Sequence, residues 1–492
     1  MLVTCSGMSE AERRFFADRS PEPWMDEAGR LCAAAILDFF PEPARAIAFC
    51  GKGNNGGDAL VLARWLKRHG WETEIRCSGP SDDLSPLARR KLAEYADEPA
   101  PADALSPLAR PLVLIDGLVG IGARGDLRGP LRELAAEMNR LRVSEAATTF
   151  AIDLPSGFDA DTGLPGPDAV VADVTLSINA PKTGFVRDGA EDHVGRLVEI
   201  PLPIPLPDGD ETRRFLFPGS LRPRLPRRAF DTHKGAAGRI ALVAGSHGMT
   251  GAAVLAALGA SRGGAGLVTV AVPEDIYPIV ATKAPAEVMV RPFRSFDEIA
   301  ALPADVFGIG PGLGESPPPG LLEFLVTHPR PVVIDADALN HLARFPDRIS
   351  ALPPNRLLTP HPGEMARLAR VSAGFDRADL ARRFADEHGI SLLLKGSRTI
   401  VASPGRPLEF NTTGHPGMAS GGMGDVLTGL CTALAGQGLA LHDAACVGSW
   451  LLGRAAELVV RECRIAPESV TAPLVAGHLG MAWRALETPG SP

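Results

Sequence analysis

Residues 410–434 read FNTTGHPGMASGGMGDVLTGLCTAL, and within this stretch a glycine-rich run from Gly421 to Asp425 opens an apolar helix. Glycines let the main chain approach a ligand closely, and the first N–H groups of a helix have no partner inside it. The stretch therefore predicts an anion-binding site. A carboxylate beside a bound phosphate is suited to take a proton from the group that attacks the phosphorus, so Asp425 is the first catalytic candidate. The alternative is that Asp425 only caps the helix.

The composition is that of a globular protein. A length of 492 residues predicts two domains. The content of 45% apolar and 22% charged residues is typical of globular proteins, and no stretch of the sequence approaches the ~20 uninterrupted apolar residues that span a bilayer. The net charge of −8, without a basic cluster, gives no support for nucleic-acid binding. The first residues lack a basic segment followed by an apolar one, so we expect a cytoplasmic protein that does not bind membranes. Seven scattered cysteines without a C-x-x-C pair predict neither a disulfide framework nor a zinc site.

Proline density rises over residues 201–226, where the hydrophobic periodicity stops, and this stretch is interpreted as a semi-rigid linker rather than a regular element. The predicted organisation is a domain over residues 1–205, a linker over 206–227 and a domain over 228–492. On both sides, short apolar strands alternate with amphipathic helices, which predicts an α/β fold of two three-layer domains, each a parallel sheet between helices. The predicted strands are 44–50, 72–77, 111–116, 149–154, 171–178 and 196–200, then 239–244, 267–272, 306–309, 332–335, 357–359, 392–395 and 399–402.

The first predicted strand runs into the glycine turn GKGNNGGD, residues 51–58, and then a helix. The G-x-G-x-x-G spacing is also that of a dinucleotide-binding Rossmann domain, but the acidic residue expected at the end of the second strand is missing. Asn54, Asn55 and Asp58 offer polar groups that can hold ribose hydroxyls or a monovalent cation. The alternative is that the two asparagines only tolerate left-handed turn geometry.

Two further predicted strands in this half end in carboxylates, Asp116 and Asp153. Ligands in such folds bind beyond the carboxyl ends of the strands, so both acids are candidates for one crevice. Residues 117–126 form a second glycine-rich loop whose N–H groups can meet a phosphate, with Arg124 as a charge partner.

The motifs GKGNNGGD, IDGLVGIGARGD, AIDLPSG and SINAPKTGF together resemble the NAD(P)HX epimerase family, which interconverts the R and S forms of hydrated nicotinamide cofactors. The resemblance implies that Asp153 is the acid or base of the reaction. Some members of the family have a lysine where this chain has Arg124, and because arginine is a fixed cation that cannot act as a base, we expect Arg124 only to stabilise charge. It implies a potassium ion held by Asn55, Asp116 and Ser156. The implied substrate-binding residues are Asn54, Asn55, Gly56, Gly57, Asp58, Gly120, Ile121, Gly122, Ala123, Arg124, Gly125, Asp126 and Asp153.

The second half carries the motifs FGIGPGLGE (307–315), VVIDADALN (332–340), LLTPHPGE (357–364) and LLLKGSRT (392–399) before the Gly421–Asp425 run. Together they resemble the ribokinase-like fold and, in detail, the ADP-dependent NAD(P)HX dehydratase that is often fused behind a Rossmann-like epimerase domain. The resemblance implies that Asp425 deprotonates the ring hydroxyl as it attacks ADP, which turns the hydroxyl into a good leaving group. It implies ADP or AMP binding by Lys395, Gly396, Ser397, Arg398, Thr399 and Gly424, and substrate binding by Ala252, Gly312, His361 and Asp425.

The implied substrates are NADHX and NADPHX, and the implied cofactors are ADP, K⁺ and Mg²⁺. Asp335 and Asp337 either bind magnesium or cap the following helix, and His361 either lines the substrate site or shapes a turn. Alternatives are a vitamin kinase of the ribokinase group, an NAD-dependent dehydrogenase and a non-catalytic scaffold.

We also expect a homo-oligomer. The apolar helix around Leu427–Leu434 is suited to an interface or to a core.

Overall fold

The computed structural model describes residues 1–100, 111–372 and 374–488, and the chain divides into two compact units between Arg213 and Arg214. The first unit is built on a six-stranded parallel sheet of order β2-β1-β3-β4-β7-β8. Its strands are β1 (Arg45–Cys50), β2 (Glu72–Cys77), β3 (Leu112–Gly117), β4 (Thr148–Ile152), β5 (Phe158–Asp159), β6 (Leu164–Pro165), β7 (Val174–Ile178) and β8 (Arg196–Ile200). Its helices are α1 (Cys5–Phe15), α2 (Glu22–Phe39), α3 (Asn54–Arg68), α4 (Pro86–Asp97), α5 (Pro130–Ser144) and α6 (Glu191–Val194).

Alternation along β1 explains the three layers of the first unit. Ala46 and Ala48 belong to the apolar cluster formed with helices α2 and α3, whereas Ile47 and Phe49 belong to the cluster formed with α5. Successive side chains of a strand point to opposite faces, so a strand that is apolar throughout is covered on both sides. The predicted three-layer α/β architecture is confirmed for this unit.

The second unit is built on a ten-stranded sheet of order β12-β11-β10-β13-β14-β15-β16-β17-β18-β9. Its strands are β9 (Arg213–Leu216), β10 (Arg239–Val243), β11 (Leu267–Pro273), β12 (Met289–Phe293), β13 (Val306–Ile309), β14 (Val332–Ile334), β15 (Arg356–Leu358), β16 (Ser391–Leu394), β17 (Ile400–Ala402) and β18 (Leu408–Asn411). Its helices are α7 (Pro218–Leu221), α8 (Thr250–Arg262), α9 (Tyr277–Lys283), α10 (Phe296–Ala300), α11 (Leu321–Thr327), α12 (Ala336–Leu342), α13 (Pro346–Ser350), α14 (Pro362–Ala369), α15 (Arg377–His388), α16 (Met423–Gly436), α17 (Leu441–Cys463) and α18 (Ala472–Glu487).

Two expectations for this unit need correction. The sheet is parallel from β12 through β16, but β16–β17 and β17–β18 pair antiparallel. The turns over residues 395–399 and 403–407 are too short to carry the crossover that a parallel pair needs. The stretch 201–226 is also not free of regular elements, since Arg213–Leu216 forms strand β9 at the sheet edge. An edge strand is paired on one side only, so the apolar run that marks a central strand is absent there.

Helix α16 is core rather than interface within this unit. Every residue of Val426–Ala435 is buried, and Gly429 lies so close to Ala256 of α8 that no side chain fits between the two helices. The expectation that this apolar helix serves either an interface or a core is therefore resolved in favour of the core. All seven cysteines are free, and no helix among the described residues has the length and apolarity needed to cross a membrane.

Candidate functional site

The first candidate site surrounds the start of α16. Helix α16 begins at Met423 after Gly422, whose φ of 92° lies in the left-handed region that favours glycine. Gly422 is the N-cap residue and makes no side-chain cap, so Asp425 is the third residue of the helix. The interpretation of Asp425 as the helix cap is therefore wrong, and its carboxylate stands in the first turn, beside N–H groups that have no partner inside the helix.

A buried ion pair lies next to this helix start. Lys395 Nζ is 2.7 Å from Asp335 Oδ1, and Thr428 of α16 donates a hydrogen bond of 2.7 Å to the other oxygen of Asp335. Glu364 Oε2 is 3.8 Å from the same ammonium group. Gly424 lies against both Lys395 and Asp335, which ties the glycine-rich run to the pair. One ammonium group is thus shared by acids that follow two neighbouring strands, β14 and β15.

The charges around Asp425 keep it ready to accept a proton near neutral pH. Burial, followed by the negative charge of Asp335, raises the pKa of Asp425 to about 6, while Lys395 opposes the shift. Burial would lower the pKa of Lys395, but the charges of Asp335 and Glu364 outweigh it, so the ammonium form is favoured. A carboxylate with a pKa close to the working pH is an effective general base.

The sheet order brings the remaining predicted residues of this unit to the same edge. Strands β13, β14, β15 and β16 are consecutive neighbours, and their carboxyl ends carry Gly312, Asp335, His361 and Lys395. Gly312 has a φ of 62° and packs directly on Ala252 at the start of α8, so these two predicted substrate residues are adjacent. A cavity of about 490 Å³ opens beside them, lined by Gly314, Glu315, Asp337, Asn340, His341, Ala343, Arg344 and Arg367.

His361 is the N-cap of α14. Its Nδ1 accepts hydrogen bonds from the N–H groups of Gly363 and Glu364, and the Glu364 carboxylate accepts one from the His361 N–H. This capping box is the turn-shaping role that the sequence left open. The imidazole remains half exposed. A substrate contact and a cap are therefore compatible at this position.

Asp335 and Asp337 have separate roles. Asp335 is the N-cap position of α12 but makes no side-chain cap, because its oxygens are used by Lys395 and Thr428. Asp337 accepts a hydrogen bond of 2.8 Å from the N–H of Gly314. The alternative that Asp335 caps helix α12 through its side chain is therefore wrong.

The turn over residues 395–399 joins β16 to β17. Gly396 and Ser397 are exposed, whereas Arg398 is 6% exposed and its guanidinium stacks on the ring of Phe215 from the edge strand β9. The Arg398 side chain therefore faces the protein interior. If this turn holds a nucleotide, its main chain and Lys395 are the groups available for the phosphates.

In the first unit, hydrogen bonds link the start of α3 with the loops that follow β3 and β4, and these three segments carry the predicted potassium ligands. Asp116 accepts hydrogen bonds from the Ser156 hydroxyl, at 2.6 Å, and from the Ser156 N–H, at 2.7 Å. Asn55 donates to the Val119 carbonyl at 2.9 Å, and the Ser156 hydroxyl accepts from the Val119 N–H. Burial, partly offset by these hydrogen bonds from Ser156, raises the pKa of Asp116 to about 6. No cationic side chain among the described residues pairs with this buried acid, so an oxygen-lined cation site fits it.

Asp153 has a partner that sequence reasoning missed. Its carboxylate forms an ion pair of 2.5 Å with Lys182, whose side chain is completely buried and also donates to the Ala180 carbonyl at 2.9 Å. Asp153 adopts a φ of 67°, unusual for a residue with a side chain and typical of sites where function constrains the backbone. Lys182 stands within the SINAPKTGF motif, but an isolated lysine in a loop carries no sequence signal for a buried partner.

The glycine turn and the second loop contribute mainly main-chain groups. Asn54–Asp58 form the first turn of α3, and Gly51 lies so close to the Leu118 carbonyl that a side chain there would clash. Burial, followed by the charge of Asp153, raises the pKa of Asp58. Arg124 is exposed on the loop over residues 117–126. The predicted residues of this unit therefore follow the carboxyl ends of β1, β3 and β4, which are neighbouring strands of the sheet.

Another group in the second unit has metal-binding chemistry but a different use. Ligand atoms of Glu409, His442 and Cys446 lie within 4.8 Å of one another, and all three residues are buried. Arg224 donates to both oxygens of Glu409, and His442 donates or accepts at 2.8 Å with the same acid. Because a guanidinium already neutralises the carboxylate, this group is a hydrogen-bonded core network.

The fold and the first site define a class of protein. A carboxylate in the first turn of a helix that follows a glycine run, beside a mostly parallel sheet, is the arrangement of ribokinase-like domains. In this chain such a domain follows the first α/β unit, which carries Asp153. The chain combines two α/β domains, each with a carboxylate at the carboxyl ends of its strands.

The family follows from comparison with known proteins. The chain belongs to the family of bifunctional NAD(P)H-hydrate repair enzymes. It is 38% identical to the bifunctional NAD(P)H-hydrate repair enzyme Nnr of Moorella thermoacetica, over 94% of this chain and 93% of the relative. It is 35% identical to the enzyme of the same name from Escherichia coli, over 88% and 84%. The family model described as NAD(P)H-hydrate dehydratase matches residues 240–475, and that described as YjeF-related protein N-terminus matches residues 22–184.

Solved structures resemble the second unit. The ADP/ATP-dependent NAD(P)H-hydrate dehydratase from Bacillus subtilis, co-crystallised with ATP and Mg²⁺, is 31% identical with a TM-score of 0.50, and the match covers 56% of this chain and 99% of that one. A ribokinase-like superfamily protein from Enterococcus faecalis, 24% identical with a TM-score of 0.51 over 57% of this chain and 99% of that one, supports the fold alone. The predicted ribokinase-like second domain is confirmed.

Proposed function

We propose that the second unit eliminates water from hydrated NADH and NADPH at the expense of ADP, giving AMP and phosphate. The observation that carries this proposal is the Asp425 carboxylate in the first turn of α16, with a pKa raised to about 6 by burial and by Asp335. In its ionised form Asp425 takes the proton from the ring hydroxyl as the hydroxyl oxygen attacks the β-phosphorus. The N–H groups of the same turn then receive the negative charge that develops on the phosphoryl oxygens.

The second half of the reaction removes the modified hydroxyl. Once phosphorylated, the oxygen leaves as orthophosphate with the C–O electron pair, and the ring loses a proton to restore the dihydronicotinamide. Gly312 and Ala252, in contact with each other, are proposed to face the nicotinamide nucleotide together with His361. The main chain of Gly396, Ser397 and Gly424, with Lys395, is proposed to hold the phosphates of ADP or AMP, with Arg398 and Thr399 completing the turn.

Magnesium fits the acids of this site. Mg²⁺ takes oxygen ligands and commonly bridges protein carboxylates and nucleotide phosphates, whose charge it neutralises. The ammonium group of Lys395 already neutralises Asp335, whereas Asp337 accepts hydrogen bonds from the uncharged N–H of Gly314 and the side-chain amide of Asn340, so Asp337 is the residue proposed to hold the ion. The protein's own contribution is to orient the diphosphate and to place Asp425 at the attacking hydroxyl.

For the first unit, we infer epimerisation of the same hydrated cofactors at Asp153. Opening and reclosing the ring at a carbon that bears both hydroxyl and nitrogen requires a group that takes and returns a proton. Asp153 serves as that group, and Lys182 holds the carboxylate in place. Asn54–Asp58 and Gly120–Asp126 are proposed to bind the phosphates and ribose. Potassium held by Asn55, Asp116 and Ser156 would fix the loops that carry these groups.

The test supplies a mixture of both epimers of hydrated NADH with ADP and follows the dihydronicotinamide absorbance and orthophosphate release. Full recovery of both epimers is expected for two active domains. Recovery of one epimer only would contradict the epimerase proposal, and a stable phosphorylated product without orthophosphate would identify a kinase instead. Replacing K⁺ by Na⁺ should slow epimerisation and leave dehydration of the S epimer unchanged if the potassium site lies in the first unit.

A further inference from the structure

The cavity beside Gly312 and Ala252 in the second unit extends along helix α12. Asp337 and Asn340 of this helix line the cavity, and so does Arg344, which lies just after the helix ends. Spacings of three and four residues place side chains on one face of a helix. Seven residues separate Asp337 from Arg344, which corresponds to about 10 Å along a helix axis. The cavity therefore leads from the proposed substrate site to a basic group farther out.

Hydrogen bonds hold a second basic group at this cavity. Arg367 of α14 also lines it, and the Nε and Nη2 atoms of Arg367 donate to Asn340 Oδ1 at 3.1 Å and 2.8 Å. The Asn340 amide group donates in turn to Asp337 at 3.4 Å. The remaining Arg367 nitrogen, Nη1, lies near Gly363, where an added side chain would meet both this nitrogen and the His361 imidazole. Arg367 is thus oriented by one edge of its guanidinium, and its free nitrogen lies close to a predicted substrate residue.

The two arginines of the cavity have no counter-charge. Within the described part of the chain, neither Arg344 nor Arg367 forms an ion pair, and the Arg344 guanidinium makes no hydrogen bond. Glu315 also lines the cavity, but it is exposed and pairs with neither of them. Arg348, four residues after Arg344, is outside the cavity and pairs with Glu323 at 3.1 Å. Two positive charges that the protein does not neutralise therefore face the same cavity, which favours an anionic ligand.

The chemistry of the cavity fits a phosphate monoester. A guanidinium presents parallel N–H donors that match the oxygens of a phosphate, and arginine is the usual partner of the 2′-phosphate in proteins that bind NADP. The volume of about 490 Å³ lies in the range of small-molecule sites. Hydrated NADPH differs from hydrated NADH by one phosphate group, which is carried by the adenosine ribose and not by the nicotinamide half. A basic site about 10 Å beyond the proposed nicotinamide nucleotide site suits that phosphate.

We propose that Arg344 and Arg367 bind the 2′-phosphate of hydrated NADPH, so that the second unit prefers this substrate to hydrated NADH. The inference rests on the proposed dehydration in this unit and names the substrate that the site selects. The two arginines belong to segments separated by strand β15, and only the fold brings them to one cavity. Because the 2′-phosphate is remote from the reacting ring, the contact contributes to binding, and KM is the quantity that depends on it.

The test compares both substrates in Arg344→Met, which removes the charge, keeps a long side chain and breaks no hydrogen bond of the described residues. The wild-type chain should have a lower KM for NADPHX than for NADHX in the ADP-dependent dehydration. Arg344→Met should raise KM for NADPHX by about tenfold, the usual effect of losing a hydrogen bond to a charged group, and leave kcat and the KM for NADHX unchanged. The double variant Arg344→Met/Arg367→Met should have equal KM values for the two substrates. The matched control is Arg348→Met, which removes an equal charge outside the cavity.

A binding measurement separates this inference from the proposed function. The full chain is titrated with NADPH and with NADH, and the fluorescence of the dihydronicotinamide is followed. Weaker binding of NADPH alone in Arg344→Met would support the inference, even in a chain whose lack of dehydration overturned the proposed function. Equal losses for NADPH and NADH would overturn the inference, because the arginine would then bind a group that both dinucleotides share. Unchanged binding in Arg344→Met, or the same selective loss in Arg348→Met, would overturn it as well.

Discussion

Asp153 directly follows strand β4 of the first unit, whereas Asp425 lies in the first turn of helix α16 of the second unit, and the two aspartates are held differently. Asp153 is paired directly with the buried ammonium group of Lys182. Within the described part of the chain, Asp425 has no such ion pair, and the nearby Lys395 is bonded to Asp335. The difference matches the two chemistries, since an acid beside a bound diphosphate must be free to take a proton. An acid that takes and returns a proton while the ring opens and recloses must instead be held in one position.

The charges around Asp425 and Asp153 also differ. In the second unit burial and the charge of Asp335 raise the pKa of Asp425 to about 6, and Lys395 opposes the shift. In the first unit the ammonium group of Lys182 is paired with Asp153 itself. Each unit therefore contains one lysine beside its aspartate, but only in the first unit are the two bonded to each other.

The largest expected effect separates the two units by activity. Asp425→Asn should reduce dehydration by about 10²–10⁴-fold, the usual contribution of a general base, and leave epimerisation unchanged. Asp153→Asn should do the reverse. Both rates are measured on the same preparations, dehydration by recovery of absorbance and epimerisation by chromatography. Loss of both activities in either variant would contradict the division of labour.

The sequence predicted the strand ends of both sites because glycine turns and acids directly after apolar runs are local signals. Asp116, Asp153, Asp335 and Lys395 all stand where those signals placed them. Strands β5, β6, β9, β12 and β18 were missed. The edge strands β9 and β12 carry exposed polar residues and, in β12, a proline. Interactions between distant segments leave no such signal in one sequence, and the pair of Lys182 with Asp153 is an example.

The next effect concerns the ion pair of the first unit. Lys182→Met should lower the free energy of unfolding by about 3–5 kcal/mol, because it leaves the Asp153 carboxylate buried without a counter-charge. The control is Lys52→Met, which breaks an exposed pair with Asp83 and should cost no more than about 1 kcal/mol. Both are measured by urea denaturation. Adding Asp153→Asn to Lys182→Met should recover much of the loss, and failure to do so would mean that Lys182 acts through packing alone.

A smaller effect distinguishes the sites by pH. Dehydration should fall as the pH decreases through about 6, approaching tenfold per pH unit, because protonated Asp425 cannot accept the hydroxyl proton. Folding raises the pKa of Asp425 from 3.8, so the folded state binds this proton more tightly than the unfolded state. The resulting stabilisation is fully present below pH 3.8 and is lost as the pH rises through about 6. Asp425→Asn should accordingly be more stable than wild type above pH 6, by about 1–2 kcal/mol after allowing for solvent screening. A dehydration rate that does not change between pH 5 and pH 7 would contradict the assignment of the base.

The smallest effect tests whether His361 is only a helix cap. His361→Ala removes the acceptor for the N–H groups of Gly363 and Glu364 and should cost about 1 kcal/mol of stability. His361→Asn keeps a side-chain acceptor at the N-cap and should retain most of that stability, so the two variants separate the cap from any substrate contact. If the half-exposed imidazole also contacts the nicotinamide nucleotide, KM for dehydration should rise in both variants, including the one that is fully stable. A normal KM in His361→Asn would leave the capping box as the whole role of this residue, and the substrate site would then rest on Ala252, Gly312 and Asp425.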